Sequence, residues 1–231
     1  MSTGRPTEGG HSPLPDGSKA KRKRSLSDEE VVCLTALEGT VSHPSPASQE
    51  YHVVKVISGG QSGADRAALV AAKALGIGTG GWLPRGFCTR QGHDITLRDE
   101  YGLQEVPSRG PRISVARAFV ERSMRNVDDA DVTIAFRLIA SPGTDKTIGY
   151  ALTGKWVQGQ HLNILQARKP CLVIRSVSER EDDESVAAIV QFILLHRPKI
   201  INVAGHRASK APADFPSRVE AILRRALRRF T

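Results

Sequence analysis

Three short glycine-bearing stretches carry the residues whose types and spacing suit work on an anion. The first is Ser58-Gly59-Gly60-Gln61-Ser62-Gly63-Ala64-Asp65-Arg66. Its three glycines permit close backbone approach and unusual dihedrals, and the alanine-rich stretch behind it predicts a helix. The exposed N–H groups of such a helix start form a ready anion site. Arg66 offers countercharge to a phosphate or, equally, a partner for a surface carboxylate, and Asp65 is either a site residue or a helix N-cap. The second stretch, Ser141-Pro142-Gly143-Thr144-Asp145-Lys146-Thr147, is another glycine turn that opens a helix, and it adds hydroxyls and an amine. The third, Asn202-Val203-Ala204-Gly205-His206-Arg207, brings polar and basic groups, although a turn that merely ends a strand has the same pattern. Gly80-Gly81-Trp82 places an indole either over a ligand ring or at the rim of the core.

These loops lack the better-known signatures. The first has no Gly-Lys-Ser/Thr and is not GxGxxG, so it is neither a Walker A nor a dehydrogenase loop. HExxH and GxSxG are absent, and no His/Cys cluster has metal-ligand spacing, so no protein-ligated metal is expected. His93 beside Asp94 suits acid–base work or an ordinary surface position.

The elements that must hold these loops follow from hydrophobic periodicity. Short apolar runs predict strands at Val53–Ser58, Gly78–Leu83, Val132–Phe136, Cys171–Arg175 and Lys199–Val203. They alternate with helical patterns at Asp65–Leu75, Arg112–Asp128, a broken stretch Lys146–Ala167, Glu184–His196 and Phe215–Arg229. That alternation predicts an α/β three-layer sandwich with a central parallel sheet of about five strands. In such a sheet ligands bind beyond the carboxyl ends of the strands, which is where each glycine stretch falls. In the helix from Arg112, Ile113, Ala116, Val120 and Met124 share one face, predicted to pack on the sheet, while Arg117, Glu121 and Arg125 run up another. Residues 84–111 form a long connection with at most a short helix.

The chain has 231 residues, 39% of them hydrophobic, and no apolar run near the length of a membrane-spanning helix. Residues 1–50, rich in Ser, Pro, Gly and charge, are expected to be a disordered tail, and residues 51–231 the ligand-binding domain. The net charge of +9 lies in that domain: the tail holds six Lys/Arg against seven Asp/Glu, leaving 27 against 17 beyond it. A basic domain favours anionic ligands. Nucleic acid is the weaker expectation, since no aromatic residues interleave the basic ones. Three scattered cysteines and a start without a secretory pattern predict a cytoplasmic protein, or a nuclear one if Lys19-Ala20-Lys21-Arg22-Lys23-Arg24 is an import signal rather than a solvated charge cluster.

Ile57 to Ala68 is similar to the opening motif of the molybdenum carrier family, a circularly permuted branch of the Rossmann-like SLOG superfamily. Further motifs follow in order: Gly80-Gly81-Trp82-Leu83-Pro84-Arg85-Gly86, Glu121-Arg122-Ser123-Met124-Arg125-Asn126-Val127, Gly143-Thr144 with Thr147, Lys169-Pro170-Cys171-Leu172, and Asn202 to Gly205. The resemblance covers residues 53–229. It implies a Rossmann-like domain, commonly a homo-oligomer, that binds molybdenum cofactor (molybdopterin) or a related nucleotide-like phosphate ligand. The binding set it suggests comprises Ser58, Gly59, Gly60, Gln61, Ser62, Gly63, Asp65, Arg66, Gly81, Trp82, Arg122, Asn126, Gly143, Thr144, Thr147 and Gly205. In that set Arg66 and Arg122 supply countercharge. Phosphoribohydrolases of the wider superfamily carry Glu at the end of the second turn, where this chain has Thr147. The alternative of a nucleotide-directed hydrolase would therefore fall to Asp65 or Asp145. The chain departs from the family at Pro142-Gly143, where Gly-Gly is usual, at His206, where proline is usual, and at an apparent insertion over residues 154–160.

Overall fold

The computed structural model describes residues 51–107, 114–154 and 169–231. The tail, with its basic run, and the inserted residues 155–160 lie outside the described residues. The elements in order are β1 (Lys55–Ser58), α1 (Ala64–Ala74), β2 (Gly78–Leu83), β3 (Cys88–Thr89), β4 (Gly92–His93), α2 (Thr96–Tyr101), β5 (Leu103–Glu105), α3 (Val115–Asp129), β6 (Val132–Phe136), α4 (Pro142–Thr153), β7 (Cys171–Ile174), α5 (Asp182–His196), β8 (Ile200–Gly205) and α6 (Phe215–Leu227). β3 and β4 make a small antiparallel hairpin. The other six strands form one parallel sheet in the order β5-β2-β1-β8-β6-β7. All five predicted strands are there. The sixth, β5, sits inside the connection expected to hold at most a short helix, and was missed because three residues are too few to show an alternating pattern; the short helix is α2.

Sheet order fixes where the helices go. The chain steps one way through α1, α2 and α5 and the other way through α3 and α4, so right-handed crossovers put the two groups on opposite faces. α1, α5 and α6 share the main core: small Ala64, Ala67, Ala68, Ala71 and Ala72 let α1 lie close to Val219, Ile222, Leu223 and Ala226 of α6. β6 reads Val-Thr-Ile-Ala-Phe and is buried throughout, as a strand covered on both faces must be. The ends of the domain meet, with Val53 N–H donating to the Phe230 carbonyl at 2.9 Å and the Tyr51 and Phe230 rings edge to face.

One expectation fails in α3. The stripe Ala116, Val120 and Met124 does not pack under the sheet; Ala116 is exposed and the other two are half-buried, and all three line an open groove. The buried positions are Phe119, Asn126 and Val127. Polar Asn126 lies on the inner face because β1 stops pairing with β2 at Gly80, and its side chain completes the next peptide, accepting from Trp82 N–H at 2.8 Å and donating to the Trp82 carbonyl. Ile113 of the same stripe lies outside the described residues.

Candidate functional site

A groove of about 1550 Å³ runs along α3 beyond the strand ends and is closed on the far side by the turns after β6 and β8. It exceeds the roughly 300–1,000 Å³ of an ordinary small-ligand site. Of the residues singled out in the sequence, Gln61, Asp65, Arg122, Gly143, Thr144, Thr147 and Gly205 line it. The β8 strand lies between β1 and β6, so the turn at Gly205 separates the first glycine loop from the second.

The first loop is packed against the protein's own atoms. A Cβ on Gly59 would fall 1.4 Å from Arg122 Nη1, on Gly60 3.0 Å from Leu97 and Leu103, and on Gly63 2.3 Å from the His206 carbonyl. Gly63 also has φ 103°, which a side chain resists. Its neighbour Ala64 donates N–H to that same carbonyl at 3.1 Å, and the Ser62 carbonyl accepts from Ala208. Gly205 is equally tight, 2.7 Å from Ala64, and Gly81 would meet the Ser58 carbonyl. These glycines knit β1, β2 and β8 together.

At the floor of the groove Asp65 is 4% exposed. Its carboxylate accepts from Gln61 N–H at 3.4 Å and pairs with Arg122 Nη1 at 3.5 Å. Burial pushes the Asp65 carboxyl above the usual range, against the pull of Arg122 and of the Gln61 and Gly205 amides. Burial likewise lowers Arg122, opposed by Asp65. The Ser58 hydroxyl and the Gln61 amide nitrogen are buried with no hydrogen-bond partner among the described residues, while the Gln61 amide oxygen accepts from Arg90 N–H at 3.2 Å.

The second turn is open. Ser141 precedes Pro142 at the start of α4 and makes no side-chain cap. Proline has no N–H and the Asp145 N–H is taken by the Ser141 carbonyl, so Gly143 and Thr144 hold the uncommitted donors among the described residues. Beyond its chain neighbours and its own helix backbone, no atom of the described residues lies within 4 Å of a Cβ built on Gly143. Asp145 braces the turn from beneath, accepting from Ser141 N–H at 3.2 Å and pairing with Arg137 at 2.5 Å. The Thr144 hydroxyl donates to Ser141 Oγ and that of Thr147 to the Gly143 carbonyl.

Other residues face elsewhere. Arg66 pairs with Asp94 and lies over the Tyr101 ring at 5.7 Å. Ser62 Oγ accepts from the Gln91 side chain, and His93 Nδ1 meets the Gly86 carbonyl. The Trp82 indole N–H donates to Asp129 at 2.5 Å, with the Arg125 guanidinium 5.3 Å from its ring. Trp82 therefore borders α3.

Two groove residues, Arg90 and Asp128, carry no signal in the sequence, whereas His206 belongs to the third glycine-bearing stretch. Arg90 stacks 4.4 Å over the Phe119 ring. His206 is 2% exposed, and its Nε2 accepts from Ile139 N–H at 3.1 Å, which ties the β6 turn to the β8 turn. Burial lowers its pKa. Asp128 accepts the Tyr150 hydroxyl at 2.8 and 3.1 Å; burial raises its carboxyl, and Tyr150 and Lys169 pull it back.

A parallel α/β sheet whose groove lies off the strand carboxyl ends belongs to the Rossmann-like class of ligand-binding folds. Within that class, the chain belongs to the circularly permutated YpsA SLOG family, whose model matches residues 56–227. The crystal structure of the "putative molybdenum carrier protein" from Syntrophus aciditrophicus SB is similar, with a TM-score of 0.58 and 29% identity over 78% of this chain and 98% of that one. Among curated proteins none gives a significant match. No helix among the described residues is long and apolar enough to cross a membrane, and no group of three His, Cys, Asp or Glu there suits a metal ion.

Proposed function

We propose that the protein binds a phosphorylated, nucleotide-like ligand of the molybdenum cofactor class in the groove along α3. The phosphate sits at the start of α4. The observation that carries this reading is the uncapped turn Ser141–Thr147, where Gly143 faces open space and two N–H groups lack acceptors. A helix start in that condition favours an anion. Four further cations on the groove, Arg90, Arg117, Arg207 and Lys210, have no ion pair among the described residues, and the unpartnered Gln61 amide supplies another donor. The residues present fit a phosphorylated pterin. Its metal would be held by the cofactor's own sulfur atoms, since the groove offers oxygen and nitrogen donors suited to phosphate and ring edges. Ser58, Gly59, Gly60 and Gly63 support the site from behind rather than touching the ligand.

A carrier fits better than a hydrolase. Asp65 and Asp145, the carboxylates a hydrolase would draw on, are both engaged in ion pairs. The family resemblance adds a homo-oligomer as the assembled form, which light scattering of the purified protein tests. Binding is tested by calorimetric titration with molybdenum cofactor, AMP, ADP-ribose and NAD, for the wild type, Gly143→Asp and Thr144→Ala. Saturable cofactor binding lost in Gly143→Asp is the expected result. Binding of a nucleotide alone, with release of free base, would replace the carrier reading with hydrolysis.

A further inference from the structure

The last turn of α3 carries Asp128 and Asp129 and no basic residue. Carboxylates at a helix C-terminus face the negative end of the helix dipole, so the placement works against the helix. Asp129 is accounted for by the Trp82 indole. Asp128 has a different setting: it lines the groove, and the hydroxyl of Tyr150, itself 3% exposed, reaches both of its oxygens. That one donor fixes the carboxylate and leaves its other lone pairs for an incoming group. The neighbouring cations do not claim it: Lys169 donates instead to the main-chain carbonyls of Asp128 and Ala130, and Arg125 pairs with Glu121 at 3.3 Å.

Resting on the phosphate-anchored reading above, we propose that Asp128 reads the ring edge of the ligand and selects a 2-amino-4-oxo heterocycle, the edge shared by guanine and pterin. Such an edge presents a ring N–H beside an amino group, two parallel donors that match the two oxygens of a carboxylate. Adenine presents a lone pair at the corresponding ring nitrogen, which a carboxylate repels. The spacing agrees. Thr144 and Tyr150 stand six residues apart on α4, about 9 Å along the axis at the ordinary helical rise, and Thr147 lines the groove between them. That separation suits the reach from phosphate to base edge in a nucleoside monophosphate. Phosphate held at one end of the groove and a carboxylate at the other orient the ligand along it.

The test is calorimetric titration of the full chain with GMP, AMP, IMP, XMP and 6-hydroxymethylpterin phosphate, for the wild type, Asp128→Asn and Gly143→Asp. The wild type should bind GMP about tenfold tighter than AMP, in line with a bidentate pair worth roughly 1–3 kcal/mol, with IMP between them. The pterin phosphate against GMP tells which source of the shared edge is preferred. Asp128→Asn should lose the preference for GMP and gain affinity for XMP, whose 2-oxo group accepts from the new amide. A variant that had merely lost its fold would not gain that affinity. Equal binding of GMP and AMP by the wild type, or an equal loss for every ligand in Asp128→Asn, overturns the assignment. If Gly143→Asp still abolishes binding in that case, the phosphate site stands without it; if no nucleotide or pterin phosphate binds the wild type, both readings fall.

Discussion

The guanidinium of Arg122 lies across Gly59 and pairs with Asp65 at 3.5 Å, on the spot where any side chain at position 59 would have to go. Gly59 has no positive φ, and the nearest atoms to a Cβ there all belong to Arg122, so the arginine sets the requirement for glycine. Gly59→Ala should therefore displace Arg122, leave Asp65 buried without its cation and lower stability by roughly 3–5 kcal/mol, the usual cost of breaking a buried pair. Gly63→Ala meets backbone instead and adds strain at φ 103°. Urea denaturation of both should show that Arg122→Ala recovers part of the loss at Gly59 and nothing at Gly63.

Gly143 should behave in the opposite way. With open space around it, Gly143→Asp adds a carboxylate to the first turn of α4, which the helix dipole favours by about 0.3–1 kcal/mol. The melting temperature is expected to hold or rise while affinity for a phosphorylated ligand collapses. A lower melting temperature would show that the turn is a structural element rather than an anion site.

His206 makes stability depend on pH. Its folded-state pKa lies below the ordinary 6.5 because it is buried, and protonation removes the lone pair that accepts from Ile139. Below 6.5 the unfolded chain binds the proton first, so stability is full above that value and declines as pH falls through the folded-state pKa. His196 is also lowered by burial and works in the same direction. The His206 share is the difference in slope between the wild type and His206→Gln, measured as denaturation midpoints from pH 7.5 to 5; equal slopes would refute it.

Asn126 both donates to and accepts from the Trp82 backbone. Asn126→Ala leaves a buried N–H and carbonyl unmatched, at a cost of about 1–3 kcal/mol for a group stranded in this way. Asn126→Asp retains the acceptor for the Trp82 N–H but sets a buried carboxylate against the Trp82 carbonyl, so it should cost at least as much as alanine. Hydrogen exchange at the Trp82 amide reports the change directly, speeding up most in the alanine variant.

Periodicity found five of the six strands of the sheet, β2 and β6 with the boundaries read from Gly78–Leu83 and Val132–Phe136, and missed the three-residue β5. It misjudged α3 because apolar Ala116, Val120 and Met124 obey the same spacing whether they face a core or a groove. Only the neighbouring strands reveal that Asn126 belongs inside. The glycines of the first loop were legible as glycines required by geometry. Whether that geometry serves a ligand or the close approach of Arg122 and the 206–208 backbone depends on contacts far apart in the chain, which no local pattern carries. Asp128 and Arg90 had no signature at all, since their surroundings, Tyr150 and Phe119, come from other elements.

The position of β8 has a consequence for the birth of the molecule. Without it the remaining strands fall into two separate ribbons, β5-β2-β1 and β6-β7, each with a bare edge where β8 would pair. In chain order β8 follows every other strand of the sheet. Until β8 is made the two ribbons keep sticky edges, and the contacts that join them, Lys55–Ser58 with residues 200–203, span a long sequence separation, which slows folding and leaves the partly made chain open to aggregation.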